Sequence, residues 1–154
     1  MAGRARRPTY VVDANVIVPF VLPEARSAEA ARVFGAAHQG RVRLVAPSYW
    51  RIECANVVWK HVHRGLLAAA AARDAFDVLD ALPVASIDTA LLMDVALDLA
   101  LACDITMYDA LYVAAALYIE VPLVTNDAAL ANQARNAVPE LNALSPATMT
   151  EAIP

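Results

Sequence analysis

Near its start, the chain has a short apolar run that ends on an acid. Residues 9–13 read TYVVD, and three of these five side chains are β-branched. A strand buried on both faces of a sheet has a continuous apolar pattern of this kind, which is typical of parallel α/β sheets. In such sheets, ligands bind beyond the carboxyl ends of the strands. The pattern therefore predicts a buried strand that carries Asp13 at the functional edge of the sheet.

Further apolar runs alternate with amphipathic stretches along the rest of the chain. Strands are predicted at residues 9–13, 42–46, 84–87 and 123–125, with a fifth, edge strand at 141–144. Pro19 and Pro23 limit the first helix to two or three turns, and further helices are predicted at residues 26–38, 48–64, 66–82, 88–103, 108–120 and 127–138. Ser48 is expected to cap the third of these helices. The residues after 144 are expected to form a loose tail.

The order of these elements predicts the fold class. Strands that alternate with helices form βαβ units, so we expect an α/β fold with a mostly parallel sheet of four or five strands and helices on both faces. A chain of 154 residues suits one domain. We therefore expect residues 1–154 to be a single domain in which residues 1–7 form a mobile tail.

The composition favours an ordered, water-soluble domain. Hydrophobic residues make up 60% of the chain and charged residues 18%, which argues against disorder. No uninterrupted apolar run reaches the length of about 18 residues that a membrane span needs. Asp13, Asn15 and Pro19 interrupt the apolar stretch that follows the N-terminal arginines, so a signal peptide is not indicated. We expect a cytoplasmic protein without a membrane partner, with Cys54 and Cys103 as core thiols.

Four acids are candidates for chemistry. Asp13, Asp109 and Asp127 each lie near a predicted helix start, where an aspartate is also favoured simply as a cap. Glu53 has no such explanation, because it is the only acid in an apolar helix and a carboxylate there is costly unless it is paired or bound to a cation. Carboxylates gathered in one crevice would suit Mg²⁺ or Mn²⁺, which prefer oxygen ligands. Asn15 and Thr125 would hold those carboxylates in place.

Four segments together resemble a known family. They are VVDANV at residues 11–16, Glu53 within its long apolar helix, YDALYVA at residues 108–114 and LVTND at residues 123–127. These segments are similar to those of PIN-domain ribonucleases, and most of all to the single-domain toxins of VapBC-type toxin–antitoxin pairs. The resemblance implies a three-layer α/β/α fold with the strand order 3-2-1-4-5, in which Asp13 and Asp127 are neighbours.

The same resemblance implies an activity and a site. It implies a Mg²⁺- or Mn²⁺-dependent endoribonuclease with an acidic quartet at Asp13, Glu53, Asp109 and Asp127, in which Asp13 and Asp109 are the main metal ligands and Asp127 contributes to the metal site. Many relatives have Ser or Thr where this chain has Asn15. The implied partners are an RNA substrate, a VapB-type antitoxin and a second copy of the chain. Apolar residues near Trp50 and Trp59 and at positions 16–22 are expected to supply the surface for such partners.

The charge distribution suggests where RNA would bind. Residues 1–73 carry 11 of the 12 basic residues and four acids, whereas residues 74–154 carry Arg135 and twelve acids. Affinity for phosphates comes from Lys and Arg. The residues expected to flank the pocket are Arg41, Arg43, Arg51, Lys60 and Arg64.

Other classes of α/β protein fit less well. A response-regulator receiver needs a lysine late in the chain, and the only lysine is Lys60. A haloacid-dehalogenase-like phosphatase needs a second Asp two residues after the first, where this chain has Asn15. With four glycines in all, the chain has no phosphate-cradling loop. A PIN-like module that binds RNA or protein without cleaving, and an RNA-processing nuclease without an antitoxin, remain as alternatives.

Overall fold

The structure is a computed structural model that describes residues 7–23 and 25–153. The predicted mobile tail therefore lies outside the described residues, except for Arg7. The elements in chain order are β1 (Thr9–Val12), α1 (Ala14–Val21), α2 (Ser27–His38), β2 (Arg43–Pro47), α3 (Trp50–His63), α4 (Ala69–Asp80), β3 (Val84–Ile87), a 3₁₀ turn (Thr89–Leu91), α5 (Met93–Cys103), α6 (Met107–Tyr118), β4 (Leu123–Val124), α7 (Ala128–Ala137), β5 (Ala143–Leu144) and α8 (Pro146–Glu151).

The five strands form one parallel sheet in the order β3-β2-β1-β4-β5, which confirms the predicted order. β1 lies at the centre, where Val11 pairs with Val45 of β2 on one side and with Leu123 of β4 on the other. The chain order reverses between β1 and β4, so the carboxyl ends of these two strands border the crevice in which α/β sheets bind ligands. Asp13 directly follows β1 at this point.

Helices cover both faces of the sheet, as predicted. The crossovers from β1 to β2 and from β2 to β3 contain α1–α4, which pack against one another, while α5 packs against α6 and α7. Because parallel crossovers are right-handed, connections that run in opposite directions along the sheet place their helices on opposite faces. α6 lies directly on β1, β2 and β4, and its middle residues, from Ala110 to Ala116, are all buried.

Two predictions about the ends of elements were wrong. Ser48 does not cap α3; its hydroxyl lies 2.8 Å from Thr89 Oγ1, and α3 begins at Trp50 without a side-chain cap. The residues after 144 are not a loose tail, because Ser145 Oγ accepts a hydrogen bond from the Thr148 amide (3.1 Å) and begins α8. Met149 of α8 is fully buried, and α8 packs against α2. Apolar burial, not local pattern alone, therefore orders the end of the chain.

The predicted partner surface is mostly core. Trp50 is fully buried, as are Val16 and Ile17 of α1, whereas Trp59 is 58% exposed. The periodicity of a helix shows that it has an apolar face but not whether another element of the same chain covers that face.

Within the described residues, no single helix is long and apolar enough to cross a membrane. Helices α5 and α6 reach that length and apolarity only together, as a pair bent by 117°.

Candidate active site

Asp13 is the most enclosed carboxylate of the crevice, with only 4% of its surface exposed. Its Oδ1 accepts a hydrogen bond from the Asn15 amide (3.1 Å), which makes Asp13 the N-cap of α1. Its Oδ2 accepts two more hydrogen bonds, from Asn15 Nδ2 (2.8 Å) and from Thr125 Oγ1 (2.7 Å). Asp13 therefore caps a helix while its carboxylate faces the crevice, and Asn15 and Thr125, the two residues expected to hold it, both donate hydrogen bonds to it.

β4 supplies the second wall of the crevice. The Asp13 amide donates to the carbonyl of Val124 (3.0 Å), so Thr125 follows β4 directly beside Asp13. Thr125 Oγ1 also accepts hydrogen bonds from Asn15 Nδ2 (3.0 Å) and from the Asp127 amide (3.0 Å). One hydroxyl thus connects the ends of β1 and β4 with the start of α7.

Asn126 completes this network by bonding to a backbone carbonyl of α1 to which Pro19 cannot donate. Pro19 lies inside α1 and has no N–H to donate to the carbonyl of Asn15, four residues earlier. Asn126 Nδ2 donates to that carbonyl instead (2.9 Å), and the Asn126 amide donates to Asn15 Oδ1 (2.9 Å). Sequence reasoning missed this role of Asn126, although the four-residue spacing of Asn15 and Pro19 is visible in the chain.

Glu53 comes from the first turn of α3 and is held by a tyrosine. Tyr112 donates its hydroxyl hydrogen to Glu53 Oε2 (2.8 Å), and Tyr112 itself is almost completely buried in α6. Sequence reasoning missed Tyr112 as well. The available signal was its position three residues after Asp109, which places both side chains on one side of a helix.

Asp109 lies in the first turn of α6, as predicted. The Asp109 amide donates to Thr106 Oγ1 (3.1 Å), and the Thr106 hydroxyl donates to Asp109 Oδ2 (2.8 Å). This reciprocal pair resembles a capping box and fixes the carboxylate relative to its helix. The other carboxylate oxygen, Oδ1, takes no part in these two bonds.

Three of the four predicted acids meet in one cavity. Asp13, Glu53 and Asp109 line a cavity of about 310 Å³ together with Ala14, Asn15, Val18 and Val57. Asp127 does not line this cavity, because its Oδ1 accepts from the Leu130 amide (2.9 Å) and caps α7. Asp127 instead lines a neighbouring cavity of about 270 Å³, beyond Asn126. Asp127 is thus a helix cap beside the cavity, as Asp13 is a helix cap within it, and its membership of an acidic quartet stays a prediction.

Burial and mutual repulsion raise the pKa of two carboxyl groups in the cavity. The pKa of Asp13 is raised to about 7, mainly by burial and also by the nearby charges of Glu53 and Asp109, against the lowering effect of the hydrogen bonds from Thr125 and Asn15. The pKa of Glu53 is raised mainly by burial, against the Tyr112 hydrogen bond, and also by the charge of Asp109. Burial also raises the pKa of Tyr112, which therefore remains a hydrogen-bond donor.

The cavity suits a hard cation that keeps part of its water shell. All three acidic groups offer oxygen atoms, and a cation would offset the cost of ionising the buried Asp13 carboxylate. Among residues 7–23 and 25–153, no three His, Cys, Asp or Glu side chains form a ready-made metal cage. Mg²⁺ is usually held by one or two carboxylates, with waters and substrate phosphates as its other ligands. The residues present therefore fit such an open site.

The predicted RNA-binding residues lie in different places. Arg43 pairs with Thr9 at the amino end of the sheet, about 13 Å along the strands from Asp13, and Arg41 precedes it. Arg51 contacts α4 instead, with its Nε 3.4 Å from Asp80 Oδ1. The structure therefore does not bring these three arginines to the cavity.

Two of the predicted basic residues lie towards the end of α3, the helix that forms one wall of the cavity. Lys60 is exposed and lies seven residues, or about two turns, after Glu53, so it shares one side of α3 with Glu53. Arg64 follows Lys60 by about one further turn and is also exposed. Val57, which lies between Glu53 and Lys60 on α3, lines the cavity.

Comparison with known proteins places this site in a family. The family model of the PIN domain matches residues 10–136, and the chain belongs to the PIN domain family, whose members are generally nucleases. No curated protein shows significant sequence similarity to the chain.

Two solved structures share the fold. The crystal structure of PAE2754 from Pyrobaculum aerophilum superposes with a TM-score of 0.68 at 22% identity, over 95% of this chain and 96% of that one. The crystal structure of VapBC2 from Rickettsia felis, bound to a DNA fragment from the promoter, superposes with a TM-score of 0.61 at 15% identity, over 89% of this chain and 98% of that one.

The raised pKa of Asp13 predicts how the stability of the metal-free protein depends on pH. Because the pKa is about 7 in the folded protein and 3.8 ordinarily, the folded state binds the extra proton between these values. The free energy of unfolding should therefore fall as the pH rises from about 4 to 7, by at most roughly 4 kcal/mol. Urea unfolding in chelating buffer at a series of pH values measures this slope. Asp13→Asn should flatten it, and an unchanged slope in that variant would assign the titration to another group.

Proposed function

We propose that this protein is a Mg²⁺- or Mn²⁺-dependent endoribonuclease and the toxin component of a VapBC-type toxin–antitoxin pair. The observation that carries the proposal is the convergence of Asp13, Glu53 and Asp109 on one cavity at the switch point of the sheet. The PIN family match supports nuclease chemistry. The structural similarity to VapBC2 supports the toxin–antitoxin context.

The three carboxylates would have two roles in the proposed reaction. Asp13 and Asp109, each fixed by hydrogen bonds to neighbouring hydroxyl or amide groups, would hold the divalent ion. When bound, that ion supplies Lewis-acid stabilisation of the charge that develops on the phosphate oxygens. Glu53 has a raised pKa and is oriented through Oε2 by Tyr112. Its Oε1 would accept the proton of the attacking water.

The substrate proposal rests on the shape and charge around the cavity. A single RNA strand would lie along α3, where Lys60 and Arg64 follow Glu53 and Val57 on one side of the helix. These two exposed cations would contact phosphates on one side of the scissile bond. Arg41, Arg43 and Arg51 are not part of this proposal. Arg41 and Arg43 lie at the amino end of the sheet, and Arg51 contacts α4.

The antitoxin proposal rests on a separate apolar groove. Trp59 and Val62 of α3 and Ala69, Ala72 and Phe76 of α4 line a groove of about 270 Å³. Trp59 is 58% exposed and Phe76 is 44% exposed. Exposed apolar surfaces of this kind often mark protein interaction sites. A VapB-type antitoxin would bind an apolar segment here, close to the stretch of α3 that the RNA would follow.

The homodimer proposal rests on α5. Met93, Leu97 and Leu101 recur every four residues on one side of α5 and are between 46% and 76% exposed. Residues four apart on a helix form a continuous stripe. Two copies of the chain would bury these stripes against each other.

Metal binding to the cavity is the first test. Mn²⁺ binds the native state in this proposal, so it should raise the melting temperature, with stabilisation of about 2.7 kcal/mol at a hundredfold excess over the dissociation constant. Asp13→Ala should abolish this shift in a thermal melt. Asp98→Ala is the matched control, because Asp98 is exposed on α5 and lines neither cavity, so its loss should leave the shift. A full shift in Asp13→Ala would remove Asp13 from the metal site.

Catalysis is tested at Glu53. Glu53→Gln keeps the shape of the side chain but loses the proton acceptor, so RNA cleavage in Mn²⁺ should fall by about 10²- to 10⁴-fold. Tyr112→Phe removes only the orienting hydrogen bond and should cost less activity. Thermal melts of both variants serve as the control for folding. If Glu53→Gln instead loses stability and keeps its activity, Glu53 is a structural residue.

The dimer is tested on α5. Light scattering of the wild-type protein at micromolar concentration should give the mass of a dimer, because the apolar stripe is then buried. Leu97→Asp places a charge in the stripe and should give a monomer. Ala102→Asp adds the same charge to an exposed position of α5 off the stripe and should leave the dimer intact. A monomeric wild-type protein would refute this part of the proposal.

A further inference from the structure

A second cavity lies directly beside the Asp13 cavity on the side of β4. It has a volume of about 270 Å³, and its lining includes Arg26, Asn126, Asp127 and Arg135. The Asn15–Asn126 hydrogen bonds form the wall between the two cavities, since Asn15 lines one and Asn126 the other. Both cavities thus open at the carboxyl edge of the sheet.

Two arginines from distant parts of the chain meet in this second cavity. Arg26 precedes α2, whereas Arg135 lies in the last turn of α7 and is the only basic residue among the last 81 residues, which carry twelve acids. Among the described residues that line the cavity, Asp127 is the one acidic group, and its Oδ1 is bound to the Leu130 amide. The formal charge of this described lining is therefore positive, although Arg135 belongs to an otherwise acidic half of the chain.

Hydrogen bonds from some of the N–H donors fix the orientation of each guanidinium group. Arg26 Nη1 donates to Asn126 Oδ1 (2.6 Å) and to the Asn126 carbonyl (3.2 Å). Arg135 donates from Nη1 to Asn132 Oδ1 (3.1 Å) and from Nη2 to the Ala143 carbonyl (2.7 Å). A guanidinium has five N–H donors, so these bonds orient each group and leave donors for an anion. Planar, pre-oriented guanidinium groups suit phosphate recognition.

We propose that the Arg26–Arg135 cavity binds a backbone phosphate of the RNA strand, next to the phosphodiester that the Asp13 cavity would hold. The proposal rests on the ribonuclease function proposed above. Lys60 and Arg64 would contact the strand on one side of the scissile phosphate, and Arg26 and Arg135 on the other. The strand would then cross the Asn15–Asn126 wall, so the scissile bond is positioned from both sides.

The test measures the salt dependence of RNA binding. For single strands, the slope of log K against log salt is about −0.7 for each phosphate that a protein neutralises. The probe is a fluorescent single-stranded RNA in Ca²⁺ buffer, with its integrity checked on a gel. Arg26→Gln with Arg135→Gln should weaken binding and make the slope shallower by about 0.7. Arg32→Gln with Arg73→Gln removes the same charge from exposed arginines outside the cavity and should leave the slope near that of the wild type.

The single variants separate phosphate binding from an indirect effect on the Asp13 site. Arg26→Gln also removes hydrogen bonds to Asn126, whereas Arg135 bonds to Asn132 and Ala143 and not to Asn126. Arg135→Gln should therefore weaken RNA binding while the Mn²⁺-induced shift in melting temperature stays at the wild-type value. Unchanged RNA binding in Arg135→Gln and an unchanged slope in the double variant would overturn the proposal.

A parallel cleavage assay in Mn²⁺ distinguishes the failure of this inference from the failure of the proposed function. If the wild-type protein cleaves RNA and the double variant keeps the full salt slope, the inference fails and the ribonuclease stands. If RNA binding depends on the two arginines but no cleavage occurs, the cavity stands and the ribonuclease fails. If the wild-type protein neither binds nor cleaves RNA, both are overturned.

Discussion

The buried carboxylate of Asp13 is the constraint on which the rest of the site depends. An ionised carboxylate with 4% exposure is costly, and three hydrogen bonds from Asn15 and Thr125 compensate only in part, since burial still raises its pKa to about 7. The Asn15 donors are local, but Thr125 follows the neighbouring parallel strand, so its hydroxyl reaches Asp13 only if β1 and β4 lie side by side. The strand order and the site are therefore aspects of one arrangement.

The same arrangement explains why the carboxylates differ. Asp13 is held by the sheet, Glu53 by a tyrosine of the helix on the opposite face, and Asp109 by a threonine of its own helix. Asp13 is thus fixed at the edge of the sheet, whereas Glu53 and Asp109 are both fixed by residues of α6 or its N-cap, and all three carboxylates meet at one cavity. A cation that binds all three groups, directly or through water, would link the two helical layers across the sheet edge. Metal binding and global stability are expected to be coupled for that reason.

The sequence predicted the fold, and it singled out three carboxylates that line one cavity, because their signals are local or belong to a recognisable motif. An apolar run that ends on an acid locates Asp13, and an isolated acid in an apolar helix locates Glu53. Local signals do not identify the hydrogen-bond partners of Tyr112, Asn126 and Arg26, because each partner lies 59 to 111 residues away along the chain. Asp127, Arg41 and Arg43 show the opposite case. Their residue types fit the expected chemistry, but the direction of a side chain and the end of a strand at which it lies are set by the tertiary structure.

The geometry of the site also depends on Pro19, an apolar residue. It is a buried residue of α1. Its ring nitrogen has no hydrogen to donate to the Asn15 carbonyl, which accepts a hydrogen bond from Asn126 instead. Replacement by a residue with an amide hydrogen would offer that carbonyl a partner within the helix, in competition with Asn126. The wall between the two cavities could then loosen without the loss of any polar side chain. Pro19 is apolar and touches no ligand in this proposal. It nevertheless helps to hold the two cavities in their relative positions, because it leaves the Asn15 carbonyl to Asn126.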